Sequence, residues 1–311
     1  MGEQSGGNGD TPGRGQDWAA IVFVVYVAAC FAMVSVCAKI AFQGGSNALS
    51  ALVIRSVLTL AALIVFFAWR KVPMALPPRQ RYAAWILGII FCGNNLGMFA
   101  ALETLPAPLA VLIFYTAPIM VALVEWAMGH RKMTAFSVVA LLLAFCGLGL
   151  ALNAGQHAIN LAGAAWATFS AVCFTAVLVL SGRLFPSGDS RPRTLHMIAA
   201  ASVLFVLGST VSAGFAWPNT SLAWLGIAGV SLFYALAVTG MFAAVARVGA
   251  GRTAQILNVE PVLVVVLSYL ILKDAITLTQ LAGIALVLAS VWALERNQPA
   301  PAPAVAAAAR D

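Results

Sequence analysis

The chain has 311 residues, of which 62% are hydrophobic and 9% charged, with a mean hydropathy of +0.96. Soluble domains carry about 45–50% apolar and about 25% charged residues, so the composition excludes a soluble domain and identifies a membrane protein. The net charge of +7 and pI near 9.5 follow from how Lys and Arg are distributed among loops, described below, and do not require a nucleic-acid partner.

Residues 1–17 are Gly-rich and polar and are expected to be a disordered tail. They do not read as a signal peptide, because the apolar run that follows has full span length. Gly6 stands where a myristoylation site needs a hydroxyl residue. Ten apolar runs follow, at roughly 18–42, 48–69, 82–102, 106–128, 134–152, 161–181, 195–215, 222–246, 253–272 and 278–295. A helix needs about 20 mostly apolar residues to cross a ~30 Å hydrocarbon layer, where an unpaired backbone amide finds no water. The runs have that length and lack the period-two alternation of a barrel strand. The Pro- and Ala-rich residues 297–311 are expected to be a second disordered tail. The five cysteines lie in apolar runs without CxxC spacing, which suggests neither a disulfide framework nor a zinc site.

Of the 17 Lys and Arg residues, all but Lys39, Arg55 and Lys273 fall on one side of this ten-span scheme. Cytoplasmic loops retain such residues, so both termini are expected in the cytoplasm. Lys39 and Arg55 fall in spans 1 and 2, where long basic side chains usually snorkel outward. Arg55 has three readings: it holds a substrate carboxylate, pairs with Glu103, or snorkels to water.

The chain also repeats itself. Gly97-Met98-Phe99-Ala100-Ala101 returns as Gly240-Met241-Phe242-Ala243-Ala244, an offset of 143 residues (240 − 97), and Pro118 returns as Pro261 in the same register. Cys30-Phe31 likewise falls on Cys173-Phe174, and Thr134 on Thr277. The offset carries spans 1–5 onto spans 6–10. Because five is odd, the second copy enters the membrane from the opposite side. Halves 18–153 and 160–296 therefore form an inverted-topology repeat, an arrangement that builds transporters with a midplane site.

Each half pairs a small-residue segment with a helix whose middle holds a proline, Phe114-Tyr115-Thr116-Ala117-Pro118 and Leu257-Asn258-Val259-Glu260-Pro261. On these residues the chain resembles the drug/metabolite transporter superfamily, specifically its EamA-type ten-helix members, over residues 18–295. The second half has Lys273-Asp274 where that family usually has a Glu, and the first has His130-Arg131. Within the superfamily the chain looks most similar to exporters of aromatic and other amino acids. The resemblance implies an all-α protein of ten transmembrane helices in the cell inner membrane, with spans 1, 3, 4, 6, 8 and 9 around a midplane cavity and spans 5 and 10 outside it.

Candidate site residues come from polar or aromatic side chains at depth. Pro118 and Pro261 deprive the carbonyls of Phe114 and Leu257 of their usual donors and are read as hinges, against ordinary transmembrane prolines that neighbours accommodate. Asn94 and Asn95 lie near the middle of span 3 and point about 100° apart, so at least one can face a cavity while the other bonds a neighbouring helix; the alternative is that both only join helices. Glu260 lies deep in span 9, where a carboxylate either meets an aqueous cavity or has a partner; Gln255 and Asn258 precede it. Trp166, Phe169 and Ser170 on span 6, with Tyr115 and Tyr234, are candidates to contact an apolar substrate, against simple core packing.

The three histidines lie near loops, and no HExxH, GxSxG or P-loop motif occurs. No catalytic residue, metal site or cofactor is expected, and the chain is read as a secondary transporter, not an enzyme. The expected partners are a small-molecule substrate and the lipid bilayer, with no nucleic acid; monomer and homodimer both remain open. The leading expectation is export of aromatic or broad neutral amino acids and related metabolites by alternating access. Two alternatives stand beside it, a multidrug or organic-cation exporter using Glu260, and a lipid carrier.

Overall fold

A computed structural model describes residues 14–129, 135–153, 160–185, 189–211, 214–249, 253, 256–274 and 276–296. Among them, every regular element is helical: α1 (Arg14–Gln43), α2 (Ala48–Trp69), α3 (Pro78–Thr104), α4 (Ala107–Phe114), α5 (Ala117–Ala127), α6 (Ala135–Asn153), α7 (Leu161–Leu184), α8 (Ser190–Val211), α9 (Ser221–Val248), α10 (Glu260–Leu267), a π-helical turn (Ser268–Leu272) and α11 (Leu278–Arg296). Seven segments are long and apolar enough to span a bilayer, with α4 and α5 counted as one, and three shorter apolar helices correspond to spans 5, 9 and 10. Large apolar side chains such as Val65, Leu142, Leu207 and Leu225 stand more than half exposed on the outer faces, as helices bathed in lipid require.

The proline-bearing spans are broken, not merely kinked. α4 stops at Phe114 and α5 starts at Ala117, with Tyr115 and Thr116 in a turn. In the second half Asn258 and Val259 form the matching turn before α10. The backbone bonds repeat as well: Thr116 N donates to Ile113 O and Met120 N to Thr116 O, while Val259 N donates to Ile256 O and Leu263 N to Val259 O. Each proline opens the helix after the break, where its missing N–H leaves no intrahelical bond unmade.

Packing follows the inverted repeat helix by helix. α1 packs along α9, and its counterpart pair α7 along α3; α2 meets α9 as α8 meets α3; α6 and α11 pack on each other. Glycines set the closest approach. A Cβ at Gly97 would lie 2.8 Å from the Trp166 carbonyl oxygen and 3.0 Å from Ser170 N. At Gly240 it would meet Val27 and Phe23, the positions 143 residues before Ser170 and Trp166. Thus the same contact is made twice, once in each orientation. α6 and α11 share a separate apolar cluster that includes Ala140, Ala144, Ile284 and Val287, which places spans 5 and 10 to one side of the main core.

On one face of the bundle the α1–α2 turn is tied to the segment before α9. Asn219 N donates to Gly44 O at 2.8 Å, Ala216 N donates to Ser50 Oγ at 2.8 Å, and the Asn47 side-chain amide donates to Gly214 O. Asn47 also caps α2 by accepting from Ser50 N at 3.0 Å. Gly45 turns the chain there with φ +91°, where a side chain would strain the backbone and strike the Asn219 amide.

Candidate functional site: a buried guanidinium on the repeat axis

A small cavity lies where α2, α3, α8 and α9 converge, with room for about one water molecule; these are spans 2, 3, 7 and 8, so of the expected set of spans 1, 3, 4, 6, 8 and 9 only spans 3 and 8 line it. Arg55 and Ser56 of α2, Phe91 and Asn95 of α3, and Tyr234 of α9 line it, with Ile198, Ala201 and Phe205 of α8. Two of these pairs, Arg55 with Ile198 and Phe91 with Tyr234, are separated by the repeat offset of 143. Equivalent positions from both halves can line one small cavity only if it straddles the pseudo-two-fold axis. In an inverted repeat that axis lies in the membrane plane, so the cavity sits at the pivot between the halves.

Arg55 is 3% exposed. One guanidinium nitrogen donates to Asn95 Oδ1 at 2.6 Å, and Asn95 Nδ2 donates in turn to the Phe91 carbonyl at 2.7 Å, which fixes the amide with its oxygen toward the arginine. The guanidinium carbon lies 4.0 Å from the centre of the Tyr234 ring and 4.7 Å from that of Phe99. Such cation–π contacts contribute about 2 kcal/mol when desolvated. The Arg55 Nε is buried without a hydrogen-bond partner.

This corrects the expectation for Arg55 of snorkelling or pairing with Glu103. Glu103 instead accepts a hydrogen bond from Ala48 N at the start of α2. Among the described residues the single ion pair joins Arg191 to Asp189, at 2.6 Å near the start of α8. The sequence alone favours snorkelling for Arg55, because a lone arginine seven residues from the start of its helix can reach water. Its aromatic neighbours come from α3 and α9, distant in the chain, so only the fold reveals the enclosure.

A second polar group joins the two breaks. The Tyr115 hydroxyl lies 3.0 Å from Glu260 Oε2 and 3.4 Å from the Leu257 carbonyl. One hydroxyl carries one proton, so it donates to one of these oxygens at a time. Leu257 is the carbonyl that Pro261 deprives of a helical donor, so the tyrosine of one half covers the gap left by the proline of the other. Glu260 is half-buried at the first position of α10, where the helix dipole favours negative charge. It does not line the Arg55 cavity.

The remaining candidates divide. Asn94 accepts from the Ser170 hydroxyl at 2.9 Å, and that hydroxyl also lies 2.8 Å from the Asn94 carbonyl, so these two side chains join α3 to α7. Asn95 and Tyr234 reach the cavity and Asn94 does not. Trp166 and Phe169, 41% and 44% exposed, contact each other edge to face at 5.9 Å. Phe169 lies beside Gly93 and Gly97, at the edge of the α3–α7 contact; the structure does not bring either aromatic to Arg55. Asn258 occupies the second break, and Gln255 lies outside the described residues. Among the described residues no three His, Cys, Asp or Glu side chains gather as a metal site would need.

Comparison with known proteins agrees with this architecture. The model of the EamA-like transporter family matches residues 18–153 and again residues 161–295. The threonine/homoserine exporter RhtA of Salmonella typhimurium strain LT2 is 27% identical over 75% of this chain and 76% of its own length, and that of Escherichia coli K12 is 28% identical over the same shares. The uncharacterized transporter YcbK of Bacillus subtilis is 28% identical over 85% of this chain and 89% of its own. A solved crystal structure superposes with a TM-score of 0.63, covering 89% of this chain and 96% of that one at 17% identity, a likeness of fold.

Proposed function

The chain belongs to the EamA-like transporter family, and from that premise we propose that it exports amino acids and related small metabolites across the inner membrane by alternating access. The observation that carries the reading is the cavity on the repeat axis. A site at the pivot stays in place while the halves exchange conformations around it, so the same side chains can meet cargo from either face. Similarity to the RhtA exporters supports amino acids as the cargo class. The mostly apolar side chains around it suit broad neutral amino acids, aromatic ones among them, once the helices part to make room. The Lys and Arg distribution supports cytoplasmic termini, and the names of the RhtA relatives support export as the direction.

An organic-cation exporter is the poorer reading. The charged group lining the cavity is a guanidinium, and Glu260, the acid such cargo would need, is bonded to Tyr115 elsewhere. The deciding experiment is exchange in proteoliposomes of the purified full chain. Vesicles loaded with threonine, leucine or phenylalanine should exchange at least one of them saturably with the same amino acid outside. Rates equal to those of empty vesicles for all three would refute export of amino acids.

A further inference from the structure

We infer that Arg55 is the anchor for the cargo's carboxylate, so that the transported molecules are small monocarboxylates, α-amino acids among them. This deepens the export reading and rests on it. A guanidinium keeps its charge in proteins and offers five donors in one plane. Held at membrane depth it is costly unless it faces water, an acid or an anionic ligand. Among the described residues no acid pairs with Arg55: the single ion pair joins Arg191 to Asp189, Glu103 accepts from the α2 backbone, and Glu260 is bonded to Tyr115. Two aromatic rings and one amide oxygen hold the group in place without neutralising it. The Nε edge stays without a partner in a side chain that is 97% buried.

That geometry matches a carboxylate, whose two oxygens pair with the fork of a guanidinium in parallel bonds. The charge and walls narrow the class further. One guanidinium suits a monoanion, and among the cavity residues no Lys or second Arg supplies the charge that clamps a phosphate. Ser56 is the only hydroxyl besides Tyr234 on an otherwise apolar lining with Asn95, so the rest of the cargo must be small or apolar. The cavity has room for about one water. The carboxylate therefore enters as the helices part, and the remainder of the cargo occupies the space that opens.

The test compares each amino acid with its own amide on wild-type protein in the exchange assay. The amide should need at least about tenfold more for half-maximal exchange, the loss expected when a charge-assisted bond is removed. Acetate should compete at concentrations where chloride does not. Amides exchanging as well as acids, or chloride competing equally with acetate, would overturn the anchor. Arg55→Gln should abolish discrimination between acid and amide, and Arg55→Lys should retain part of it. If Arg55→Gln does not fold, the acid–amide comparison on wild type decides alone. If wild type exchanges no amino acid, the export reading falls, and the anchor is then judged by whether acetate and threonine raise the unfolding temperature of the purified protein; no rise would overturn it too.

Discussion

Tyr115 and Glu260 stand 145 positions apart and share a hydrogen bond of 3.0 Å, which links the two proline breaks through one hydroxyl. When the carboxylate is ionised, Tyr115 donates to it. When the carboxyl carries a proton, it can donate to the phenol oxygen and the phenol to the Leu257 carbonyl, so the pair is satisfied in both states. The two side chains therefore act as a unit. In a double-mutant cycle of Tyr115→Phe and Glu260→Gln, read as kcat/KM for exchange, the double variant should be little worse than the poorer single one, with a coupling of about 1 kcal/mol or more. Strict additivity would contradict it. At this scale the sequence was only partly legible. Adjacent amides on one helix must point apart, and this geometry foretold that Asn94 and Asn95 would have different neighbours. For Arg55 the sequence left three readings open, because burial depends on what three other helices place around it.

The breaks in the proline spans were legible in position but not in kind. An interior proline removes one N–H and crowds the carbonyl four residues back, which a helix can answer by bending or by stopping. Here it stops, since Tyr115-Thr116 and Asn258-Val259 leave the helical path and α5 and α10 restart with the proline in their first turn. Pro118→Ala restores a donor for the Phe114 carbonyl and lets α4 run on into α5. Turnover in the exchange assay should fall severalfold, with a smaller change in the concentration for half-maximal exchange, because the cavity-lining helices are untouched. An unchanged turnover would show that the break plays no part in the transport cycle. The link between the α1–α2 turn and the segment before α9 was not foreseen, since its bonds run largely through backbone groups that carry no sequence signature.

For the whole molecule, the ungapped offset of 143 residues was the most informative property of the sequence, because it implied the inverted repeat and required each helix contact to recur at the equivalent positions. The structure shows α1 packed on α9, and the offset makes α7 on α3 its counterpart, down to Gly97 and Gly240 meeting equivalent partners. What the offset did not reveal is where chemistry departs from symmetry: Arg55 faces Ile198 across the axis, and Tyr234 faces Phe91. On the proposed reading, the symmetric frame lets the site open either way and the asymmetric lining selects one kind of cargo. Ser56, 4% exposed beside Arg55 on that axis, tests this most directly. With the five native cysteines replaced by alanine and Ser56→Cys introduced, transport-competent protein in sealed vesicles should be modified by a small impermeant thiol reagent added from either side, and cargo should slow both reactions. Modification from one side alone, or from neither, would contradict a site that opens alternately to the two faces of the membrane.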